Sequence, residues 1–214
     1  MRRYTNIAFT PSVQAIQAEH GTEKTAARMA AMALDDHRLS PREAGFIGER
    51  DSFYMASRTE DGWPYVQHRG GPVGFVKVLD DRTLAFADYQ GNRQFITQGN
   101  VSKDDRVSLF FVDYPNRRRL KVFARAEVHR ERDDPELARR VLDPSYRATV
   151  DRIIVLKVEA FDWNCPQHIT PRWTTEELAP VREELERLRQ RVQELESANL
   201  SLMSEQAHFA EHCD

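Results

Sequence analysis

Three segments of the sequence combine residue types that could bind a flat or anionic ligand. The first, residues 67–75, has three glycines among six consecutive residues, which would let a ligand approach the backbone closely. Arg69 in this segment could hold a phosphate group, and His68 lies beside it. A glycine-rich turn with a solvated arginine explains this segment equally well.

The second segment, residues 88–94, lies between a predicted strand and a predicted helix. Free backbone N–H groups and the helix dipole favour an anion at such a junction. Asn92, Arg93 and Gln94 would add side-chain donors, and the Arg93 guanidinium could bind a phosphate through two parallel hydrogen bonds. A solvated helix cap is the alternative.

The third segment begins at Trp163 and ends at Arg172, after the last predicted strand. Trp163, Gln167 and His168 could line an aromatic ligand, and Arg172 could reach an anionic group. Cys165 lies in the same segment, but no Ser/His/Asp or Cys/His arrangement accompanies it. The sequence therefore gives no reason to assign Cys165 as a nucleophile.

The overall charge and the N-terminal sequence exclude several classes of partner. The chain has 214 residues, with 31 basic and 34 acidic side chains and a net charge of -3, so no overall field attracts it to nucleic acid or to an anionic membrane. The N-terminal residues lack the apolar run of a signal peptide or a membrane span. Neither Cys165 nor Cys213 has the spacing of a metal site. We expect a cytoplasmic protein without nucleic-acid, membrane or metal partners.

Short apolar runs between turn residues predict the elements that position these segments. The runs lie at 52–57, 73–79, 83–87, 106–112, 120–128 and 153–158. Brief helices are predicted over 92–101 and 135–142. Antiparallel strands at such short spacing favour a barrel over a parallel α/β sheet, so the predicted fold class is mainly β within the α+β class.

Short helices are predicted ahead of the barrel, over residues 10–50. Ser40 offers an N-cap, Pro41 suits the first helical position and Glu43 completes a capping box. We therefore predict a helical segment at 1–50, a β-barrel at 51–172 and a C-terminal helix at 173–214.

The C-terminal segment carries a heptad repeat. Its apolar residues alternate at spacings of three and four, and the series consists of Leu178, Val181, Leu185, Leu188, Val192 and Leu195, continuing to Asn199 and Leu202. With Leu178 at position a, Asn199 also falls at a, where a lone Asn typically fixes the register and the number of strands.

The charges beside this repeat favour a parallel pair of helices. Position g holds Glu177, Glu184 and Arg191, and the following e positions hold Arg182, Arg189 and Glu196. Each g-to-e′ contact across a parallel dimer would join opposite charges. The pattern predicts a parallel coiled-coil homodimer, and the alternative is a single amphipathic helix packed on its own barrel.

Taken together, the three ligand-binding segments resemble the pyridoxamine phosphate oxidase-like FMN-binding split barrels, and most closely the branch described as predicted flavin-nucleotide-binding proteins. The resemblance covers about residues 40–172. It implies an antiparallel split β-barrel that binds FMN at a site shared by two subunits, with the third segment reaching the partner's flavin. The implied cofactor-binding residues are His68, Arg69, Val73, Gly74, Phe75, Val76, Asp88, Asn92, Arg93, Gln94, Trp163, Gln167 and Arg172.

Two departures from the family pattern limit what the resemblance implies. Asn92 and Gln94 stand where the phosphate clamp usually has Ser and Lys, which leaves fewer positive charges for the phosphate, although His68 and Arg69 could compensate. Residues 167–172 lack the ending that holds pyridoxal phosphate in the true oxidases, so oxidation of vitamin B6 is not implied.

The resemblance implies an FMN-dependent oxidoreductase with an unknown small-molecule substrate. His168 is the candidate proton donor, because histidine titrates near physiological pH. A flavin-binding sensor or carrier without catalysis is the first alternative. A split barrel that binds a deazaflavin or haem is the second.

Overall fold

The structure is a computed structural model that describes residues 2–32, 35–163 and 165–211, with the helical backbone alone over 204–211. It divides into two compact units, Met1–Ile169 and Thr170–Asp214. The division at 50/51 and 172/173 stays a prediction. Within the described residues, no helix is both long enough and apolar enough to cross a membrane.

The first unit, over its described residues, is built on a seven-stranded antiparallel sheet. The strands are β1 (Ser52–Arg58), β2 (Pro64–Gly70), β3 (Val76–Asp80), β4 (Thr83–Tyr89), β5 (Arg106–Asp113), β6 (Arg118–His129) and β7 (Val150–Trp163). Neighbouring strands follow the order β2-β1-β5-β6-β7-β4-β3. This topology confirms the predicted α+β fold of the split-barrel type.

The described helices surround this sheet or follow it. They are α1 (Arg3–Ala8), α2 (Pro11–Glu19), α3 (Glu23–Ala31), α4 (Pro41–Gly48), α5 (Ile96–Lys103), α6 (Pro135–Val141) and α7 (Ala179–Glu211). The predicted N-terminal helices, the helix near 135–142 and the C-terminal helix are therefore confirmed. The α5 helix begins four residues later than predicted, at Ile96.

The core fills the barrel because its strands alternate buried and exposed side chains. Val107, Leu109 and Phe111 of β5 are buried, and the residues between them are partly exposed. In contrast, β4 is buried at six of its seven residues. Leu84 and Phe86 pack into the barrel core, while the small residues of the opposite face pack in a second cluster with α6.

The strands differ most from the sequence prediction at β2, β3 and β7. Residues 64–70 form β2, which no predicted run included, and β3 begins at Val76 instead of residue 73. Because β2 lies at an edge of the sheet and none of its side chains is fully buried, it lacks the apolar run that marks a central strand. The last strand, β7, extends beyond its predicted range at both ends.

The predicted capping box at the start of α4 is present and is also a tertiary contact. The Ser40 N–H donates to Glu43 Oε2 at 3.1 Å, and the Arg42 N–H donates to Ser40 Oγ at 3.2 Å. Glu43 Oε1 accepts a hydrogen bond of 2.7 Å from Trp163 Nε1 at the end of β7. Burial alone would raise the pKa of Glu43, but the hydrogen bonds from Ser40 and Trp163 outweigh burial and hold that pKa below its ordinary value.

Candidate functional site

Two of the three predicted segments meet in one pocket beside β2, β4 and the start of β7. Its cavity volume is about 150 Å³. The predicted residues that line it are Arg69, Asp88, Asn92, Arg93 and Gln94. We call it the arginine pocket, after Arg69, Arg93 and Arg152, which all line it.

The strand β2 sends every second side chain toward this pocket. Tyr65, Gln67 and Arg69 line it, as the two-residue period of a β-strand requires. Gln67 Oε1 accepts a hydrogen bond of 3.0 Å from the Thr97 hydroxyl at the start of α5. This contact ties the edge strand to the helix on the other side of the pocket.

At the base of the pocket, two buried arginines share one aspartate. Arg69 Nη1 donates to Asp88 Oδ1 at 2.5 Å, and Arg152 Nε lies 3.1 Å from Asp88 Oδ2. All three side chains are at most 11% exposed. Asp88 and Arg152 are direct partners in the pairing of β4 with β7, and Arg152 Nη1 also donates to Gln98 Oε1.

This cluster carries more positive than negative charge. Arg69, Arg93 and Arg152 line the pocket with Asp88 and Asp151, which leaves a formal charge of +1. Burial raises the pKa of Asp88 although both neighbouring arginines oppose that change, and burial lowers the pKa of Arg69. The site therefore keeps its charges in a poorly solvated place, where an additional anion would be attracted strongly.

Two buried donors in this cluster have no hydrogen-bond partner among the described residues. They are Nε of Arg69 and Nε of Arg152, the latter close to Asp88 but not aligned for a hydrogen bond. A buried polar group without a partner costs free energy, and a ligand oxygen would remove that cost. The residues present therefore fit an anionic group such as a phosphate.

The loop between β4 and α5 supplies the outer wall of the pocket. Arg93 and Phe95 adopt left-handed backbone angles, with φ of 58° and 55°, and the Gln94 N–H donates to Asn92 Oδ1 at 3.2 Å. The Phe95 ring lies 4.8 Å from the Arg152 guanidinium and 5.8 Å from that of Arg93. These cation–π contacts place both arginines around one ring at the start of α5.

Other predicted residues near the first segment lie outside this pocket. His68 is on the opposite face of β2 from Arg69, and its ring centroid lies 5.6 Å from that of Tyr54. Val73 is exposed, and Gly74 forms a turn with φ of 75°. The side chains of Phe75 and Val76 belong to the barrel core. A contact of these five residues with a cofactor stays a prediction.

Trp163, where the third segment begins, lies at the opposite end of β7 from the arginine pocket of the same chain. Trp163 follows Arg152 by eleven residues on β7, which corresponds to about 36 Å along the strand. Its indole bonds to Glu43 and stacks edge-on against Phe46 at 4.8 Å. Gln167 and His168 are exposed beyond it, and Arg172 belongs to the second compact unit.

Sequence reasoning missed several residues of the arginine pocket. They include Tyr65, Gln67, Thr97, Gln98 and Arg152. The two-residue alternation of β2 could have found Tyr65 and Gln67, had β2 been recognised as a strand. Arg152 gives no such local signal, because only its pairing with Asp88 brings it to the pocket.

The predicted absence of a metal site is not tested by the structure. Within the ranges that the structure describes, no group of three or more His, Cys, Asp or Glu side chains could hold a metal ion. The donor set of the arginine pocket is suited to anions, because guanidinium groups cannot act as metal ligands.

Comparisons with known proteins give one family match. The sequence profile described as Pyridoxamine 5'-phosphate oxidase matches residues 39–162. No curated protein matches the chain.

Several solved structures match part of the chain at low identity. A Lactobacillus delbrueckii protein with the provisional description of a pyridoxamine 5'-phosphate oxidase is 24% identical, with a TM-score of 0.47 and coverage of 60% of this chain and 97% of that chain. An FMN-binding protein from Syntrophomonas wolfei is 11% identical, with a TM-score of 0.44 and coverage of 70% and 97%. An F420 reductase is 21% identical, with a TM-score of 0.40 and coverage of 57% and 98%.

Proposed function

The chain belongs to the pyridoxamine 5'-phosphate oxidase family, and from this premise we propose that it is an FMN-dependent oxidoreductase with the cofactor phosphate in the arginine pocket. The observation that carries the proposal is the buried cluster of Arg69, Asp88 and Arg152 with its two unpartnered Nε donors. A phosphate monoester carries a charge of about −1.5 to −2 at neutral pH and offers three acceptor oxygens. The cluster supplies both the donors and the opposite charge.

The absence of charge on Asn92 and Gln94, in the predicted phosphate clamp, is compatible with phosphate binding because other pocket residues supply positive charge. Asn92 and Gln94 carry no charge, but Arg152 adds a buried positive charge that the family comparison of this segment did not include. Arg69 and Arg152 together therefore compensate for the missing Lys. Asp88 holds both guanidinium groups in place and lowers the net positive charge of the unliganded site.

The size of the pocket supports a site that a second subunit completes. Pockets for cofactor-sized ligands usually measure about 300–1,000 Å³, whereas the arginine pocket measures about 150 Å³. One chain can thus enclose the phosphate end, and the flavin ring requires another surface. We place the third segment of the partner subunit there, since Trp163 is too distant to serve its own chain.

Bound FMN would supply hydride or electron transfer, and the protein would supply binding and orientation. The arginine pocket would fix the phosphate, and His168, exposed after β7, is the proposed proton donor. The substrate is a small molecule of unknown identity. We place this function in the cytoplasm, where the exposed thiol of Cys165 would remain reduced.

Absorbance of the purified protein tests the cofactor. We expect flavin bands as isolated or after addition of FMN, and dissociation constants measured by titration should favour FMN over a deazaflavin and over haem. Arg69→Ala should weaken FMN binding by about 10- to 100-fold, because it removes a charge-assisted hydrogen bond.

Arg132→Ala is the matched control, since that side chain is 74% exposed and lies outside the pocket. A protein that takes up no flavin, or unchanged FMN affinity in Arg69→Ala, would contradict the proposal. Steady-state turnover with a reduced nicotinamide would then separate an oxidoreductase from a flavin carrier.

A further inference from the structure

The α7 helix is long, and its described side chains form no packed face. It runs over 33 residues, which corresponds to about 50 Å. Every described side chain from 180 to 203 is exposed. A helix in water derives most of its stability from an apolar face buried against another element. In the single chain, α7 therefore has an apolar stripe without the surface that would normally cover it.

The stripe has the width of a coiled-coil seam. Its apolar residues are 40–64% exposed, and they are Leu178, Val181, Leu185, Leu188, Val192, Leu195 and Leu202. They occupy only positions a and d over four heptads, whereas a helix packed on a globular domain usually presents a wider apolar face. Leu200 and Met203, which are also exposed, lie outside the seam.

The charges beside the seam identify a second copy of this chain as the partner. In a parallel pair in register, Glu177 would face the partner's Arg182, Glu184 would face the partner's Arg189, and Arg191 would face the partner's Glu196. Each contact occurs twice and joins opposite charges. An antiparallel pair that overlaps residues 178–195, with Leu185 against the partner's Leu188, would instead bring Arg182 against the partner's Arg189, a repulsive contact that occurs twice.

The ion pairs within α7 do not prevent these contacts. Glu184 pairs with Arg187 at 2.6 Å and Arg189 pairs with Glu186 at 3.1 Å, all in the same helix. These side chains are at least 50% exposed, and exposed pairs of this kind contribute little to stability. They can be exchanged for contacts beside a buried seam.

We propose that α7 forms a parallel, in-register coiled coil with α7 of a second copy of this chain. Leu residues at most d positions and the lone Asn199 at position a favour two strands and one register, because two Asn side chains can hydrogen-bond to each other at that layer. The interface is independent of the cofactor that the barrel binds. It also raises the local concentration of the two barrels that would share a flavin site.

Disulfide cross-linking of the full chain tests orientation and register. In a background of Cys165→Ser and Cys213→Ser, Leu185→Cys should oxidise to a covalent dimer under oxidised glutathione, because an a residue meets its own counterpart in a parallel pair. Glu183→Cys, on the outer face of α7, is the matched control and should remain monomeric. No dimer from Leu185→Cys, or a dimer only when Leu185→Cys is mixed with Leu188→Cys, would overturn the proposal.

Charge reversal tests the choice of partner in the same assay. Arg182→Glu with Arg189→Glu turns four attractive contacts into repulsive ones, and we expect Leu185→Cys cross-linking to fall by about tenfold or more. Glu177→Arg with Glu184→Arg should have the same effect, and a mixture of the two variants should restore the dimer. Equal cross-linking in all samples would mean that the charges do not select the partner, and the proposal would fail.

Discussion

At each end of β7, arginine side chains pack against an aromatic ring. Near the start of the strand, the Arg152 guanidinium lies 4.8 Å from the centroid of Phe95. At the other end, Arg118 lies 5.2 Å from the centroid of Trp163, and Arg42 lies 4.5 Å from it. Packing of arginine on an aromatic ring therefore does not by itself distinguish a ligand site from a structural contact.

The two ends of β7 differ in the hydrogen bonding of the polar groups around these rings. At the Trp163 end, Glu43 accepts from both Ser40 and the indole, so its hydrogen bonds connect α4 to β7. At the Arg152 end, two buried Nε donors lack partners among the described residues and one aspartate serves two arginines. The contacts of Glu43 are made within the protein and stabilise the fold, whereas the arginine pocket is the place where we propose that an anion binds.

The largest expected effect is on stability, at the Trp163 end. Glu43→Ala should lower the free energy of unfolding by about 3 kcal/mol, because it removes a helix cap and a buried hydrogen bond to a charged group. Chemical denaturation measures the change. Glu49→Ala is the control at the opposite, C-terminal end of α4, since its side chain is 66% exposed, and it should change stability by less than about 0.5 kcal/mol. Equal losses of stability in Glu43→Ala and Glu49→Ala would show that the contacts of Glu43 with Ser40 and Trp163 do not stabilise the fold.

The next effect is on affinity, at the Arg152 end. Arg152→Ala should weaken FMN binding by about 10- to 100-fold, since a buried guanidinium contributes a strong charge-assisted hydrogen bond. Arg93 is exposed, so solvent should reduce the loss in Arg93→Ala to about fivefold. Isothermal titration with FMN measures both. A larger loss for Arg93→Ala than for Arg152→Ala would place the phosphate at the outer wall instead of at the base.

The smallest effect is on the pH dependence of stability, to which Glu43 and Asp88 should contribute with opposite signs. The pKa of Glu43 is lowered in the folded protein, so its stabilising contribution is present above the unfolded-state pKa and is lost as pH falls through the folded-state pKa. The pKa of Asp88 is raised, so stability should increase as pH falls through that raised value toward the ordinary one.

Unfolding free energies between pH 7 and pH 3 test these opposite signs. Glu43→Gln should reduce the loss of stability in acid, whereas Asp88→Asn should remove the gain that precedes it. The same direction of change in both variants would show that the two carboxylates do not differ in environment as the structure indicates.

Much of the fold could be predicted from the sequence because its signals are local. The alternation in β5 and β6, the capping box at Ser40 and the heptads of α7 all depend on neighbouring residues. The edge strand β2 could not be found in this way, since it buries no side chain completely and ends among glycines. Because β2 was not predicted as a strand, Tyr65 and Gln67 were not recognised as pocket residues.

The candidate site was predicted only in part for the same reason. Arg69 and the loop at 92–94 were recognised from residue type and spacing, and the structure brings them together in the arginine pocket. The position of Trp163 at the far end of β7 could not be read from the sequence, because segments that are separate in the chain meet only through strand pairing.

By itself, the sequence determined the strand-rich fold, the N-terminal helices and the heptad pattern of α7, because periodicity and capping act over a few residues. Only the tertiary structure decided which charges share a pocket. The pairing of β4 with β7 sets Asp88 opposite Arg152, and the edge strand β2 brings Arg69 to the same aspartate. Burial then removes these three side chains from water, and this loss of solvent is the physical basis of the anion site that we propose.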